Sequence, residues 1–167
     1  MTESFFPYRK DTPMRKTLLI FLLLAIFYAS NTPGLKATKP ETWISLPSLK
    51  ENVNLSTIFQ PGSRFYKPVP FEPAKEFIAR KSAHITFFGL LTLLFFWNLP
   101  KRRGRYALAV LLTGLFAFTD EIHQAFILDR DGRLTDVLLD TTSGAIVMLI
   151  VYWINRKRRL EENQHYA

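Results

Sequence analysis

The sequence contains no cysteine, which excludes disulfide bonds, cysteine metal sites and cysteine nucleophiles. It also lacks an H-E-x-x-H motif or a comparable metal-ligand spacing, so we expect no bound metal, and no motif indicates another cofactor. Internal repeats and low-complexity tracts are absent as well. The length of 167 residues suits a single domain that spans residues 1–167.

Acidic residues are few relative to basic ones, with 14 Asp and Glu against 22 Lys and Arg and a net charge of +8. A positive excess can indicate nucleic-acid binding. Here, however, the basic residues cluster at the ends of apolar blocks, which is the pattern of membrane topology signals. We therefore expect a lipid bilayer as partner and no nucleic acid.

Apolar residues are concentrated in four blocks, although they make up an ordinary 48% of the chain. Blocks of about 20 residues are long enough to cross a bilayer as helices. The first block is short, and the basic residues before it also fit a cleaved signal peptide; Tyr28 and Ser30 make a poor cleavage site, which favours an uncleaved helix. The predicted fold is all-α, a polytopic transmembrane bundle of four helices at about residues 14–33, 77–99, 106–128 and 134–154.

Basic residues border these blocks in three clusters. Because cytoplasmic flanks of membrane helices are enriched in Lys and Arg, four spans with both termini in the cytoplasm place all three clusters on that side. The clusters are Arg9, Lys10, Arg15 and Lys16; Lys101, Arg102, Arg103 and Arg105; and Arg156, Lys157, Arg158 and Arg159.

The segment between the first two spans, residues 34–76, is then extracytoplasmic. Seven of the ten prolines lie between residues 33 and 73, which argues against one long helix. Its large apolar residues argue against a free linker. We expect it to lie on the outer membrane surface and cover the bundle, with a short amphipathic helix around residues 48–59 and a helical turn from about Pro73 into the second span.

The run from Phe118 to Phe126 places Asp120, Glu121, His123 and Gln124 inside a segment that is otherwise typical of a membrane span. Their spacing of three or four residues puts Asp120, His123 and Gln124 on one helix face. Charges at membrane depth are costly, so they usually have a partner or a function. On the predicted topology, other segments bring polar groups to the same outer layer: Arg80, Lys81, His84, Arg130, Asp136 and Asp140.

Carboxylates beside histidine and arginine can provide general acid or base groups and an anion clamp. We therefore assign candidate roles by chemistry. The candidate catalytic residues are His84, Asp120, Glu121, Asp136 and Asp140, and the candidate substrate-binding residues are Arg80, Lys81, Gln124 and Arg130.

Simpler explanations remain open for several of these residues. His84 can be a hydrogen-bonded interface residue, Asp136 can cap a helix, and Arg130 with Arg133 can belong to a solvated turn. Asp120, Glu121 and Asp140 are harder to explain singly, and for them the alternative is a salt-bridge network that pins the helices together.

Several segments match the pattern of a known family. They are Phe27-Tyr28-Ala29-Ser30-Asn31, Arg80-Lys81-Ser82-Ala83-His84, Asp120-Glu121-Ile122-His123-Gln124-Ala125-Phe126, Arg130, and Asp136-Val137 with Asp140 and Gly144. In these segments the sequence resembles the VanZ-like family of bacterial integral membrane proteins. One departure is Leu128-Asp129, where the family often has Pro-Gly before the arginine. The resemblance implies a polytopic protein of a bacterial plasma membrane, and founding members are linked to resistance to the glycopeptide teicoplanin.

Three functional hypotheses follow. The first is a VanZ-like membrane protein whose outer-leaflet polar pocket acts on a cell-envelope component, such as a lipid-linked cell-wall precursor or a glycopeptide, or modulates glycopeptide susceptibility. The second is a membrane-embedded acid–base hydrolase or transferase acting on a lipid-linked or phosphorylated substrate. The third is a structural salt-bridge network without a ligand. The sequence leaves all three open and makes no prediction of oligomeric state.

Overall fold

The computed structural model describes residues 13–68, 74–102 and 104–165. These residues form helices and loops without a strand. Four helices are long and apolar enough to cross a membrane, which confirms the predicted all-α bundle. The helices are α1 (Pro13–Ser30), α2 (Leu55–Phe59), α3 (Lys75–Asn98), α4 (Arg105–Phe126) and α5 (Leu134–His165), with 3-10 turns at Pro40–Thr42 and Arg64–Tyr66.

The last helix is the one whose length differs most from the prediction, because α5 continues to His165 instead of ending near residue 154. Residues 155–165 contain no proline or glycine and are rich in Arg, Glu and other good helix formers. Lys157 and Glu161, one turn apart, add an exposed ion pair at 3.9 Å. The end of the apolar block therefore indicates where the helix becomes polar, and not where the helix ends.

The bundle is centred on α5, which packs along both α3 and α4, while α1 lies mainly against α3. Small residues permit this close approach. A Cβ atom on Gly144 of α5 would lie 2.3 Å from Oγ1 of Thr92 in α3. The Thr92 and Thr113 hydroxyls are themselves 2.8 Å apart, so α3 and α4 also meet at this level.

Large apolar side chains cover the outside of the long helices. On a soluble protein so wide an apolar surface would cause aggregation, whereas in a bilayer it is the surface that faces lipid. The chain is thus a multi-pass membrane protein. Examples of these exposed side chains are Phe21 and Leu24 in α1, Leu111 and Leu115 in α4, and Leu149 and Ile150 in α5.

One end of the bundle, which we call the basic end, gathers the basic clusters. The Asn98 side-chain amide donates to the Arg15 carbonyl oxygen at 3.3 Å, joining the C-terminus of α3 to the start of α1. The Asn155 amide donates to the Tyr106 hydroxyl at 3.0 Å, joining α5 to the start of α4. The described members of the three basic clusters therefore share one end; the predicted cluster members Arg9, Lys10 and Arg103 lie outside the described residues.

The opposite end, which we call the covered end, carries the segment between α1 and α3. Ser48 and Lys50 pair with the chain that follows α4: the Leu128 N–H donates to the Ser48 carbonyl, and the Lys50 N–H donates to the Phe126 carbonyl, each at 2.8 Å. The predicted helix around residues 48–59 is therefore wrong in its first half. This pairing satisfies backbone groups that a longer α4 would have bonded internally, and α4 ends at Phe126.

Only the second half of that predicted helix forms, as α2. The Asn54 side chain caps it by accepting from the Thr57 N–H at 3.0 Å. Ile58 and Phe65 are buried, and the Phe65 ring lies 6.1 Å from the Phe118 ring of α4. The segment thus packs on the bundle. The predicted helical turn from Pro73 lies outside the described residues.

The turn between α4 and α5 is tied to this segment by Asp131. Its carboxylate lies 3.1 Å from Arg64, 3.3 Å from Arg133 and 3.7 Å from Lys50. Burial raises the pKa of Asp131, but the hydrogen bond and charge of Arg64, with the charges of Lys50 and Arg133, outweigh burial and hold that pKa below its usual range. Asp131 is therefore an anionic anchor for the turn.

The same turn explains the departure from the Pro-Gly pattern. Asp129 has a φ of 58°, in the left-handed region that glycine adopts freely. Aspartate and asparagine tolerate this region better than other side chains do. The Leu128-Asp129 pair thus keeps a turn geometry that a glycine would also allow.

Candidate functional site

The sequence-predicted site residues come together at the covered end of the bundle. Helices α3, α4 and α5 each contribute side chains from one or two helical turns, and the loop between α4 and α5 adds Arg130. The contributors are Arg80, Lys81 and His84 from α3, Asp120, Glu121 and Gln124 from α4, and Asp136 and Asp140 from α5.

Two ion pairs connect α3 with α5. Lys81 bonds to Asp136, and the His84 Nδ1 atom lies 3.1 and 3.2 Å from the two Asp140 carboxylate oxygens. Both helices begin at the covered end, so residues three apart on α3 meet residues four apart on α5. Asp140 is fully buried, and His84 is its hydrogen-bond partner. Lys81 is thus an ion-pair partner of Asp136, and its substrate-binding role stays a prediction.

Gln124 connects the two carboxylates of α4. Its amide nitrogen donates to Asp120 at 2.8 Å and to Glu121 at 3.2 Å, and its amide oxygen accepts from Arg130 at 3.0 Å. Glu121, with 1% of its surface exposed, also accepts the Arg133 backbone N–H at 2.7 Å. Neutral donors therefore satisfy much of the hydrogen-bonding capacity of these carboxylates.

The two arginines differ from the other charged groups. Within the described residues, neither Arg80 nor Arg130 has a carboxylate within the 4.0 Å of an ion pair. The Arg80 Nε atom is buried without a hydrogen-bond partner. Burial lowers the pKa of Arg130 from its usual value, an effect that the nearby Glu121 and Asp120 charges oppose. Both guanidinium groups retain donors that an added acceptor could use.

Two cavities open beside these residues. A polar cavity of about 200 Å³ is lined by Arg80, Arg130 and Asp136 among others, and an apolar cleft of about 390 Å³ lies between α1 and α3. His84, Gln124 and Arg130 line both cavities. The polar cluster is therefore reachable from a space large enough for a small ligand.

A cluster that could hold a divalent cation is present as well. His84, Glu121 and Asp140 each offer one ligand atom, and these atoms lie within 4.8 Å of one another. One imidazole and two carboxylates are a donor set that several divalent metals accept. A search for a local motif such as H-E-x-x-H misses this set, because each ligand comes from a different helix.

Sequence reasoning also missed three contributors near Glu121 and Asp120. The backbone N–H of Arg133 binds Glu121, although Arg133 was expected in a solvated turn. Gly132 lies against the α4 backbone, and the Ser30 hydroxyl at the end of α1 lies 3.4 Å from the Gln124 amide nitrogen. A backbone donor leaves no trace in the residue type, and Ser30 entered the sequence analysis only as part of the segment at residues 27–31 that resembles the family.

His123, whose spacing placed it on the face of Asp120 and Gln124, belongs to a different contact. Its ring stacks on Phe27 with centroids 5.2 Å apart, and its Nε2 atom lies 3.3 Å from the Asn31 side-chain oxygen. His123 therefore fixes the end of α1 against α4.

The chain was also compared with known proteins. A family model described as VanZ/LLP1 matches residues 17–155, which include every one of the site residues above. No curated protein and no solved structure matches the chain.

Proposed function

This chain belongs to the VanZ/LLP1 family, and from that premise we propose that it binds a cell-envelope component at an outer-leaflet polar pocket in a bacterial plasma membrane. Residues 1–167 form one domain, with both termini in the cytoplasm and residues 34–76 outside. The ligand is a lipid-linked cell-wall precursor or a glycopeptide, and binding it modulates susceptibility to teicoplanin-type antibiotics.

The observation that carries this proposal is an imbalance among the buried charges. Glu121 and Asp140 are almost completely buried, which is costly for carboxylates unless they are paired and hydrogen-bonded. A network that only pinned the helices would match each partly buried arginine with a carboxylate. Instead, Gln124 and a backbone N–H serve Glu121, while Arg80 and Arg130 keep free donors beside a cavity. This arrangement supports an anionic ligand.

A second candidate function is acid–base hydrolysis or transfer on a lipid-linked or phosphorylated substrate. The observation in its favour is the His84–Asp140 pair, in which a buried carboxylate orients an imidazole that lines both cavities. In this scheme His84 or Glu121 acts as the base, and Arg130 or Arg80 holds the anion. The third possibility, a network without a ligand, is an outcome of the experiments below.

The topology is tested by labelling introduced cysteines, which the cysteine-free chain makes straightforward. We expect Gln60→Cys in the covering segment to react with an impermeant thiol reagent on intact cells. We expect Gly104→Cys, between the second and third spans, to react only after the membrane is permeabilised, because basic flanks stay in the cytoplasm. Reaction of Gly104→Cys from outside, or protection of Gln60→Cys, would reverse the proposed orientation.

The role of the carboxylates is tested by Glu121→Gln. The amide oxygen keeps the acceptor for the Arg133 N–H at the cost of the longer bond from Gln124. Because a buried charge is also removed, the variant should fold at least as well as the native chain. We expect full membrane abundance and an unchanged detergent melting temperature, together with loss of the envelope phenotype, such as a change in teicoplanin susceptibility. Asp136→Asn should show the same loss of phenotype but lower stability, because it leaves Lys81 unpaired.

Glu162→Gln, an exposed change near the end of α5, is the matched control and should have no effect. Ligand binding retained in Glu121→Gln with its phenotype lost favours the enzyme over the binding module. A normal phenotype in both Glu121→Gln and Asp136→Asn, or a defect explained by lost abundance, would point to the purely structural network.

A further inference from the structure

The apolar cleft between α1 and α3 has the dimensions of a ligand site rather than of a packing defect. Its volume is about 390 Å³, within the usual range for small-molecule pockets. Small side chains create the space, since Ala25 and Ala29 line it from α1 and Ala83 lines it from α3, with Phe87 and Phe88 alongside. Apolar cavities of this kind remain dry and accept hydrocarbon.

The cleft ends at polar groups, because Asp120, Gln124 and Arg130 line it together with His84. Gln124, Arg130 and His84 also line the 200 Å³ polar cavity. One ligand can therefore occupy both spaces, with its apolar part between α1 and α3 and its polar part beside the arginines.

The charges around the polar cavity favour one sign for that polar part. Of the three acidic side chains that line it, Asp131 is paired with Arg64 and Lys50, and Asp136 is paired with Lys81. Among the described residues, Asp129 is thus the one lining carboxylate without an ion pair, against two arginines without one. Arg80 and Arg130 line the same cavity with unused donors. An oxyanion such as phosphate supplies the acceptors that these donors lack, and guanidinium groups match its geometry well.

The side chains at the rim of the cleft indicate that a bound ligand would lie along the membrane normal. Tyr28 and Trp43 line the cleft, are about half exposed, and are linked by a hydrogen bond from the Tyr28 hydroxyl to the Trp43 carbonyl at 2.9 Å. Aromatic side chains of this kind concentrate at the level of lipid headgroups. A chain that runs from there along α1 and α3 would lie parallel to the lipid tails around it.

We infer that the ligand of this site is an anionic amphiphile, with a phosphate-type head between Arg80 and Arg130 and a long hydrocarbon chain in the cleft between α1 and α3. This inference rests on the proposed function and narrows its ligand to one chemical class. A free phosphate ion shares the head chemistry, so the experiment separates the two sources.

The test measures binding to the full-length chain in maltoside micelles by native mass spectrometry, with hexadecyl phosphate, inorganic phosphate and hexadecyltrimethylammonium as probes. We expect hexadecyl phosphate to bind, inorganic phosphate to bind at least about tenfold more weakly, and the cationic amphiphile not to compete. Arg130→Gln should weaken hexadecyl phosphate binding about tenfold or more, the loss of one charge-assisted hydrogen bond.

Ala83→Phe fills part of the cleft from a position that does not line the polar cavity, and Ala107→Phe places the same side chain at an exposed position of α4 outside the cleft. We expect Ala83→Phe to weaken hexadecyl phosphate binding while leaving inorganic phosphate binding unchanged, and Ala107→Phe to change neither. Equal affinity for the two phosphates, an Ala83→Phe variant that binds hexadecyl phosphate normally, or competition by the cationic amphiphile would overturn the inference. If one of these contrary binding results came with a lost phenotype in Glu121→Gln, the inference would fail and the proposed function would stand. If it came with a normal phenotype in Glu121→Gln, both the inference and the proposed function would fail.

Discussion

Replacing Gly132 with alanine should prevent most of the protein from accumulating in a folded form. A Cβ atom at this position would lie 1.8 Å from the Glu121 carbonyl oxygen and 3.0 Å from the Ala125 nitrogen. Both are backbone atoms of α4, so neither can rotate away. The turn would have to lift from the helix, which would also pull the Arg133 N–H from the Glu121 carboxylate it binds at 2.7 Å.

The expected loss is about 3–5 kcal/mol, the sum of an overpacking penalty and the loss of a hydrogen bond to a buried charged group. It would appear as low membrane abundance and a strongly reduced melting temperature in detergent. Gly104→Ala is the control, because no atom lies within 4 Å of its added Cβ and its φ is −81°. A Gly132→Ala variant as stable as Gly104→Ala would mean that the turn does not rest on α4 as described.

The spans were predictable because they depend on local quantities. The length of an apolar run and the cost of charge in lipid are both properties of short stretches. The same reasoning brought His84, Glu121 and Asp140 to one layer, since each lies near the covered end of its own helix. Depth along the membrane normal is therefore readable from sequence once the spans are assigned.

Contacts between distant segments were not predictable in this way. The pairing of Leu49 with Ile127 depends on how the covering segment folds back, and residue preferences around position 48 do not encode it. The same holds for Arg133, whose contribution to Glu121 is a backbone N–H that any residue type would offer. The ion pair between Lys81 and Asp136 likewise depends on how α3 is rotated against α5, which neither residue type encodes.

The structural role of the His84–Asp140 pair can be separated from its functional role by a double-mutant cycle. His84→Leu removes the partner of a carboxylate that has no exposed surface. Leaving one member of a buried pair uncompensated typically costs about 3–5 kcal/mol, whereas replacing both members by apolar residues is often neutral or stabilising. We therefore expect His84→Leu to be strongly destabilised and His84→Leu/Asp140→Leu to recover most of the melting temperature.

The envelope phenotype of the same variants is the second measurement in this cycle. If the pair acts on a ligand, the recovered double variant should still lack the envelope phenotype, since it has neither the imidazole nor the carboxylate. Lys157→Met provides the comparison, because it breaks the exposed pair with Glu161 and should cost no more than about 1 kcal/mol. A double variant that is both stable and fully active would assign His84 and Asp140 to holding α3 against α5. An equally unstable double variant would show instead that apolar side chains cannot fill this position, and Asp140→Asn with His84 intact would then carry the functional comparison, because it keeps the hydrogen bond and removes the charge.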